Sequence, residues 1–398
     1  MATPKDIWQA ARDGNSQELS ALIATNAPVD KKDSYSRTAL HYAAEGDHSM
    51  VAQVLIDANA TLDIRNIAKN TPLHYAARCG HVTTIQILIN AKAPIGAQGQ
   101  CGDTPLHYAA LEGHTAAVKT LIREKAALDT QGRSSKTPLH YAIEGNHCDV
   151  AQALLDARAA VDTKDKNSRT PLHYAAMEGR HLAARMLLNA KANPSVYDLY
   201  SMPLHYAAAK NHTAIVQALI AANASVDGKD FSADDEEDKS PLHFAASAGH
   251  TSVVELLIDA KAALDIQDLE SKTPLHYAAS AGHDVTTQTL IQAKAFVDVK
   301  DDIGNTPLHF AATGDHDAVV SALIDANASL EAENRHHQTA LHHAVEHDSF
   351  EAAEVLLAAG GRLDAVDEWG RTPLHVAAKQ DYNDIIELLL ESLLAVEK

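Results

Sequence analysis

Residues 71–92 read TPLHYAARCGHVTTIQILINAK, and this stretch decides the fold. Thr71 is placed to cap a helix with its hydroxyl. Pro72 follows at the first helical position, where a missing N–H costs nothing. His74 stands three residues after the cap, where a side chain can reach back to it, as Glu or Gln does in a capping box. Leu73, Ala76 and Ala77 give a short inward face at helical spacing. Gly80 and His81 break the helix. Ile85, Leu88 and Ile89 then form the apolar stripe of a second helix that ends near Asn90-Ala91-Lys92. A polar stretch leads to the next Thr-Pro. Helices of about ten residues do not form alone in water, so such a unit is stable only when stacked on copies of itself.

The copies are there. The tetrad Thr-Pro-Leu-His or a near variant recurs with its histidine at 41, 74, 107, 140, 173, 205, 243, 276, 309, 342 and 375. The spacings are 33, 33, 33, 33, 32, 38, 33, 33, 33 and 33. The variants are Thr38-Ala39-Leu40-His41, Met202-Pro203-Leu204-His205, Ser240-Pro241-Leu242-His243 and Thr339-Ala340-Leu341-His342. The segment 7–30 fits the same register with Trp8 in the histidine column, which makes twelve repeats. A fixed period of this length predicts stacked supersecondary units and an extended presenting surface.

On these residues the chain resembles the ankyrin-repeat family, whose mark is Thr-Pro-Leu-His-x-Ala at a period of 33. The resemblance covers the whole chain. It implies an all-α solenoid of helix–turn–helix units joined by β-hairpin-like loops. The expected layout is one solenoid over 1–398, with an N-terminal capping repeat at 1–37, internal repeats at 38–370 and a C-terminal repeat at 371–398. The family usually has Gly after the second helix, supplying a left-handed turn. Here that column reads Asn26, Asn59, Lys92, Lys125, Arg158, Lys191, Asn223, Lys261, Lys294, Asn327 and Gly360. If the left-handed geometry is kept, each non-glycine cap costs on the order of 1 kcal/mol. Two further departures are a one-residue deletion between Asp198 and Met202 and a five-residue insertion in the acidic loop at 231–239.

Composition narrows the function classes. The net charge of −20 argues against nucleic acid as the main partner and favours a basic protein segment. No apolar run approaches a membrane span, so no membrane insertion is expected, and the first residues lack the apolar core of a secretory signal. Cys79, Cys101 and Cys148 lie in different repeats with neither disulfide nor ligand spacing. A reducing compartment, cytoplasmic or nuclear, is expected.

The chain can be aligned with itself. A residue that recurs in every unit serves folding and stacking, and a residue that changes is free for specificity. The tetrad histidines and a second column after the helix break (His48, His81, His114, His147, His212, His250, His283, His316) are therefore read as structural. The cluster His336, His337, His342, His343 and His347 has only His342 in a repeat column, and its spacing matches no metal-ligand pattern. No metal or cofactor is expected. The aromatic column of Tyr42, Tyr75, Tyr108, Tyr141, Tyr174, Tyr206, Phe244, Tyr277 and Phe310 is read as packing between units, with each hydroxyl near solvent.

The variable columns are the two residues after Ala-Ala on the first helix, together with the loop tips. In ankyrin-like proteins these line the concave face and its rim. Early repeats carry long or charged pairs there, such as Arg78-Cys79. Three consecutive units carry small ones: Ser247-Ala248, Ser280-Ala281 and Thr313-Gly314. Apolar tips Phe231, Leu269 and Ile303 stand along the same rim, beside the acidic run Asp234, Asp235, Glu236, Glu237 and Asp238. This predicts a shallow groove that takes an extended or helical segment with basic residues at one end. In the last helix Ile386, Leu389 and Leu390 are expected to face inward. Ile385, Leu388, Leu393 and Leu394 are extra, which points to a cover, a continuing chain or self-association.

There is no Gly-rich phosphate loop, no His-Glu-x-x-His and no Gly-x-Ser-x-Gly, so no catalytic residue is expected. Asp129, Asp162, Asp265 and Asp298 sit at repeated loop positions and read as turn residues. The expected function is a protein-binding scaffold, adaptor or inhibitor acting through the concave face and loop tips. The alternative is a regulatory or targeting arm of a larger enzyme or channel, or a host-directed effector. The oligomeric state is open.

Overall fold

The computed structural model describes residues 6–231 and 238–396. Those residues form 24 α-helices and no strand, arranged as twelve helix pairs. First helices have six to eight residues, as in Pro72–Cys79, and second helices have nine, as in Val82–Asn90, except for the last, Asn383–Val396. Contacts divide the chain into two compact units, residues 1–193 and 194–398. Within each unit, first helices stack on first helices and second helices on second helices.

The tetrad histidine explains why the pairs stack. In repeat 71–92 the Thr71 backbone N–H donates to His74 Nδ1 at 3.0 Å, closing the expected cap. His74 Nε2 lies 3.2 Å from the carbonyl oxygen of Asp103, 29 residues on in the next repeat. A carbonyl can only accept, so Nε2 carries the proton and Nδ1 is bare. One neutral ring thus caps its own helix and ties down the next loop. The same pair of bonds recurs at His41, His107 and His140, and in the second unit at His243, His276, His309 and His342.

The second histidine column works in the opposite direction. His81, His114 and His147 bond through Nε2 to the carbonyls of Glu45, Arg78 and Leu111, each 36 residues back at the end of the preceding first helix. This contact accounts for the glycine of the helix break. Gly80 sits at φ +74°, and a Cβ there would lie 2.7 Å from the His114 ring.

The core is made of the columns that recur. Leu73, Ala76, Ala77, Ile85 and Leu88 are fully buried, and each such leucine contributes about 1.5–3 kcal/mol. Ile89, expected inside, is only half-buried, and Thr84 is buried in its stead with its hydroxyl donating to Asp47 at 3.0 Å. Trp8 does not copy the histidine it replaces. Its Nε1 donates to Lys31 O within its own repeat.

From Asn26 to Asn327 the turn after the second helix keeps its left-handed geometry without glycine, and only Gly360 supplies one. Lys92, Lys125, Arg158 and Lys191 have φ of 74°, 64°, 67° and 70°, and Lys261 and Lys294 have 66° and 79°. The strain expected for these caps is therefore present.

Candidate protein interface

The loops between helix pairs are built by carboxylates. Asp33 Oδ1 accepts the N–H groups of Tyr35 and Arg37, and its Oδ2 accepts the Tyr42 hydroxyl at 2.6 Å. Asp165 with Tyr174, Asp198 with Tyr206 and Asp268 with Tyr277 repeat the arrangement. The tyrosine hydroxyls are thus bound to the loop and not left to solvent, a correction to the sequence reading. Their rings pack edge-on against the preceding tetrad histidine, for example Tyr75 on His41 and Tyr277 on His243, both at 5.7 Å.

Asn66 and Asn334 close their loops with an amide in place of the carboxylate, and two loops have no side chain there at all, with Gly99 and Gly132 in its place. The preceding loop supplies the missing group. Asp103 Oδ1 accepts the Arg133 N–H at 2.9 Å and the Tyr141 hydroxyl at 3.2 Å. Asn70 stands 3.3 Å from the Tyr108 hydroxyl. A Cβ on Gly132 would collide with Asp103 Oδ1, and one on Gly99 would lie 2.5 Å from Asn70 Oδ1.

A second set of acidic residues joins repeats directly. Asp129, Asp162, Asp265 and Asp298 accept the N–H of Ala160, Asn193, Phe296 and Ser329, each 31 residues on. They are bridges between repeats and not only turn residues. Both carboxylate sets are engaged in loop and repeat geometry.

Burial is the main influence on the tetrad histidines, partly offset by the carbonyl to which each ring donates. It lowers His41, His74 and His140 to about 4 in the first unit. In the second unit it lowers His205, His243, His276 and His309 to about 4. These rings stay neutral at physiological pH.

The histidine-rich repeat resolves into separate roles. His343 occupies the aromatic column, a place the sequence reading did not give it. Its ring packs edge-on against His309 at 5.1 Å, its Nδ1 is 3.0 Å from Thr313 Oγ1 and its Nε2 is 3.1 Å from Asn334 Nδ2. Burial and then the neighbouring histidines lower it to about 3. His336 pairs with Glu368 at 2.7 Å and stacks on Trp369, while His337 pairs with Glu333 at 2.8 Å. Among the described residues, no group of three or more His, Cys, Asp or Glu side chains is placed to hold a metal ion.

The residues expected to bind a partner all belong to the second unit. The helices Pro241–Ser247, Pro274–Ser280 and Pro307–Thr313 stack in succession. Ser247, Ala248, Ser280 and Ala281 are exposed on them. Thr313 is half-buried and turned toward its neighbours, with its hydroxyl donating to His309 O at 2.9 Å. The tips Phe231, Leu269 and Ile303 are 60%, 52% and 48% exposed. Phe231 leans on Tyr197 with ring centroids 5.2 Å apart, and Asp238 lies 3.7 Å from Lys229 Nζ. Asp234, Asp235, Glu236 and Glu237 lie outside the described residues.

In the last helix, Ile385 and Leu389 are fully buried, Ile386 is half-buried and Leu390 is exposed. The expected inward set is corrected accordingly. In an internal repeat such as 251–259, Val253, Val254 and Leu257 are all buried. Ile386 matches Val254, but no further helix pair stacks on it among the described residues.

Paired helices stacked through shared histidine and carboxylate bonds define a modular repeat protein. The family model for ankyrin repeats (three copies) matches residues 7–99, 91–165, 128–198, 157–230, 204–301, 242–334, 286–367 and 326–397. The chain belongs to the ankyrin-repeat family, whose repeats are protein–protein interaction modules and generally not enzymes. Comparison with curated proteins gives no match. Among the described residues no helix is long and apolar enough to cross a membrane.

Proposed function

We propose that this protein is a scaffold or adaptor that binds a partner protein through the first helices and loop tips of the repeats spanning 231–314. The observation that carries this reading is the row of exposed apolar tips, Phe231, Leu269 and Ile303, beside the small exposed residues Ser247, Ala248, Ser280 and Ala281. The histidine and carboxylate bonds that stack the repeats use none of these side chains, so folding does not require them to be apolar or small. The partner segment is extended or helical. It carries apolar side chains for the tips and basic residues toward Asp234, Asp235, Glu236, Glu237 and Asp238. The protein as a whole, at −20, attracts such a segment at long range.

Photo-cross-linking from positions 269 and 280 identifies the partner, and titration with that partner then tests the surface. Ser280→Arg, and separately serine at all five of 234–238, each weaken binding about tenfold or more. Unchanged affinity in both variants overturns the assignment.

A further inference from the structure

The helix Asn383–Val396 has fourteen residues, where every earlier second helix has nine. It packs Ile385 and Leu389 inward and leaves Leu390, Leu393 and Leu394 44%, 38% and 61% exposed. On its other flank a groove of about 500 Å³ separates it from the helix Phe350–Ala358. Phe350 and Leu388 contribute the apolar surface of this groove, and every other lining residue is a carboxylate: Glu351, Glu354, Asp384, Glu387 and Glu391.

Folding does not ask for this composition. The places matching Glu351 and Glu354 hold Ala318 and Ser321 one repeat earlier, and Val285 and Gln288 one repeat before that. Those repeats form the same helices and stack in the same way. Like charges gathered in one groove oppose the folded state, and neutral residues would serve stacking as well. Phe350 and Leu388 set among five carboxylates, on a helix that also leaves Leu394 exposed, complement one kind of surface: an amphipathic helix with a basic stripe. Its lysine or arginine stems can lie along Phe350 and Leu388 with their head groups among the carboxylates. Its apolar side chains can meet Leu394. A second copy of this chain would instead bring carboxylates against carboxylates.

We propose that the groove between Phe350–Ala358 and Asn383–Val396, together with the exposed Leu394, docks a basic amphipathic helix of a partner protein. This surface is separate from the first-helix surface at 231–314.

The test uses the full chain and a labelled eighteen-residue probe peptide with Lys and Arg on one helical face and Leu on the other, read by fluorescence anisotropy. The combined variant Glu354→Gln, Glu387→Gln, Glu391→Gln weakens binding about tenfold. The charge-matched control Glu255→Gln, Asp259→Asn, Asp325→Asn, on other second helices, changes it less than about twofold. A scrambled peptide of the same composition binds more weakly than the probe. Equal losses in the two variants, or equal binding of the scrambled peptide, overturn the proposal as general attraction to an acidic protein. A dimer in sedimentation that Leu394→Lys dissociates overturns it in favour of a second copy. Loss with Ser280→Arg but not with the groove variant overturns this proposal and leaves the first-helix surface standing.

Discussion

Acid should dismantle this protein through its tetrad histidines, in a window set by their two environments. In the unfolded chain a histidine titrates near 6.5. In the folded protein seven of them are lowered to about 4, by burial first. The lowered value has a geometric counterpart: at His276, Nδ1 accepts the Thr273 N–H and Nε2 donates to Asn305 O, which leaves no nitrogen for a second proton. Asp301 and Asp268 favour the charged ring there but do not outweigh burial. Because the folded value lies below the unfolded one, the unfolded chain binds more protons, and stability falls as pH drops through about 6.5 toward 4. Between pH 7 and 5.5 each such ring removes about 1.2 kcal/mol, and seven remove about 8 kcal/mol summed over the chain. Asp33 and Asp367 are lowered from the usual carboxylate range: burial pushes them up, but bonds from Tyr42 and from the Arg37 and Arg371 backbones outweigh it. Their contribution is lost only below about pH 4, outside the window. The assay is urea denaturation followed by helical circular dichroism at pH 7.5, 6.5 and 5.5. His276→Gln keeps an acceptor for the cap but cannot titrate, and should reduce the pH slope by about 0.8 kcal/mol per pH unit averaged over pH 7 to 5.5. A midpoint that does not move between pH 7 and 5.5, or a slope unaltered by His276→Gln, refutes the reasoning.

Three other outcomes are expected. Lys294→Gly, at φ +79°, should raise stability by several tenths to about 1 kcal/mol in thermal denaturation, with Lys294→Ala giving no gain. Gly132→Asp should destabilise by more than about 2 kcal/mol, because the Asp103 carboxylate already fills that space, while Gly132→Asp with Asp103→Ser should recover at least about 1 kcal/mol in a double-mutant cycle. Thr287 is fully buried and its hydroxyl has no hydrogen-bond partner, so Thr287→Val should stabilise by about 1 kcal/mol in the same denaturation assay.

The fold was legible because each repeat states its demands in the same columns. Thr71, Pro72 and His74 carry the cap, and the helical spacing of Leu73, Ala76 and Ala77 carries the buried face. The bonds that join repeats were harder to read, since they run along diagonals: 29 residues forward from the tetrad histidine, 36 back from the second histidine and 31 forward from the loop aspartate. A column shows only that a residue recurs and not what it reaches. Asp129 therefore read as a turn residue when it holds the next repeat, and nothing in a column marks Gly132, where Asp103 stands in for the side chain it lacks. His343 was missed for a related reason: its identity departs from the aromatic column while its packing on His309 keeps that column's place. A variable residue is thus free for binding only if no neighbouring repeat has claimed it along a diagonal. By that criterion Thr313, bonded to His309 O and adjacent to His343, is a weaker candidate than Ser247 or Ser280, whose backbone carbonyls are engaged by His283 and His316 while the residues themselves stay exposed. The strongest claim to a partner in the 231–314 surface therefore rests on Ser247, Ser280 and the tips Phe231, Leu269 and Ile303.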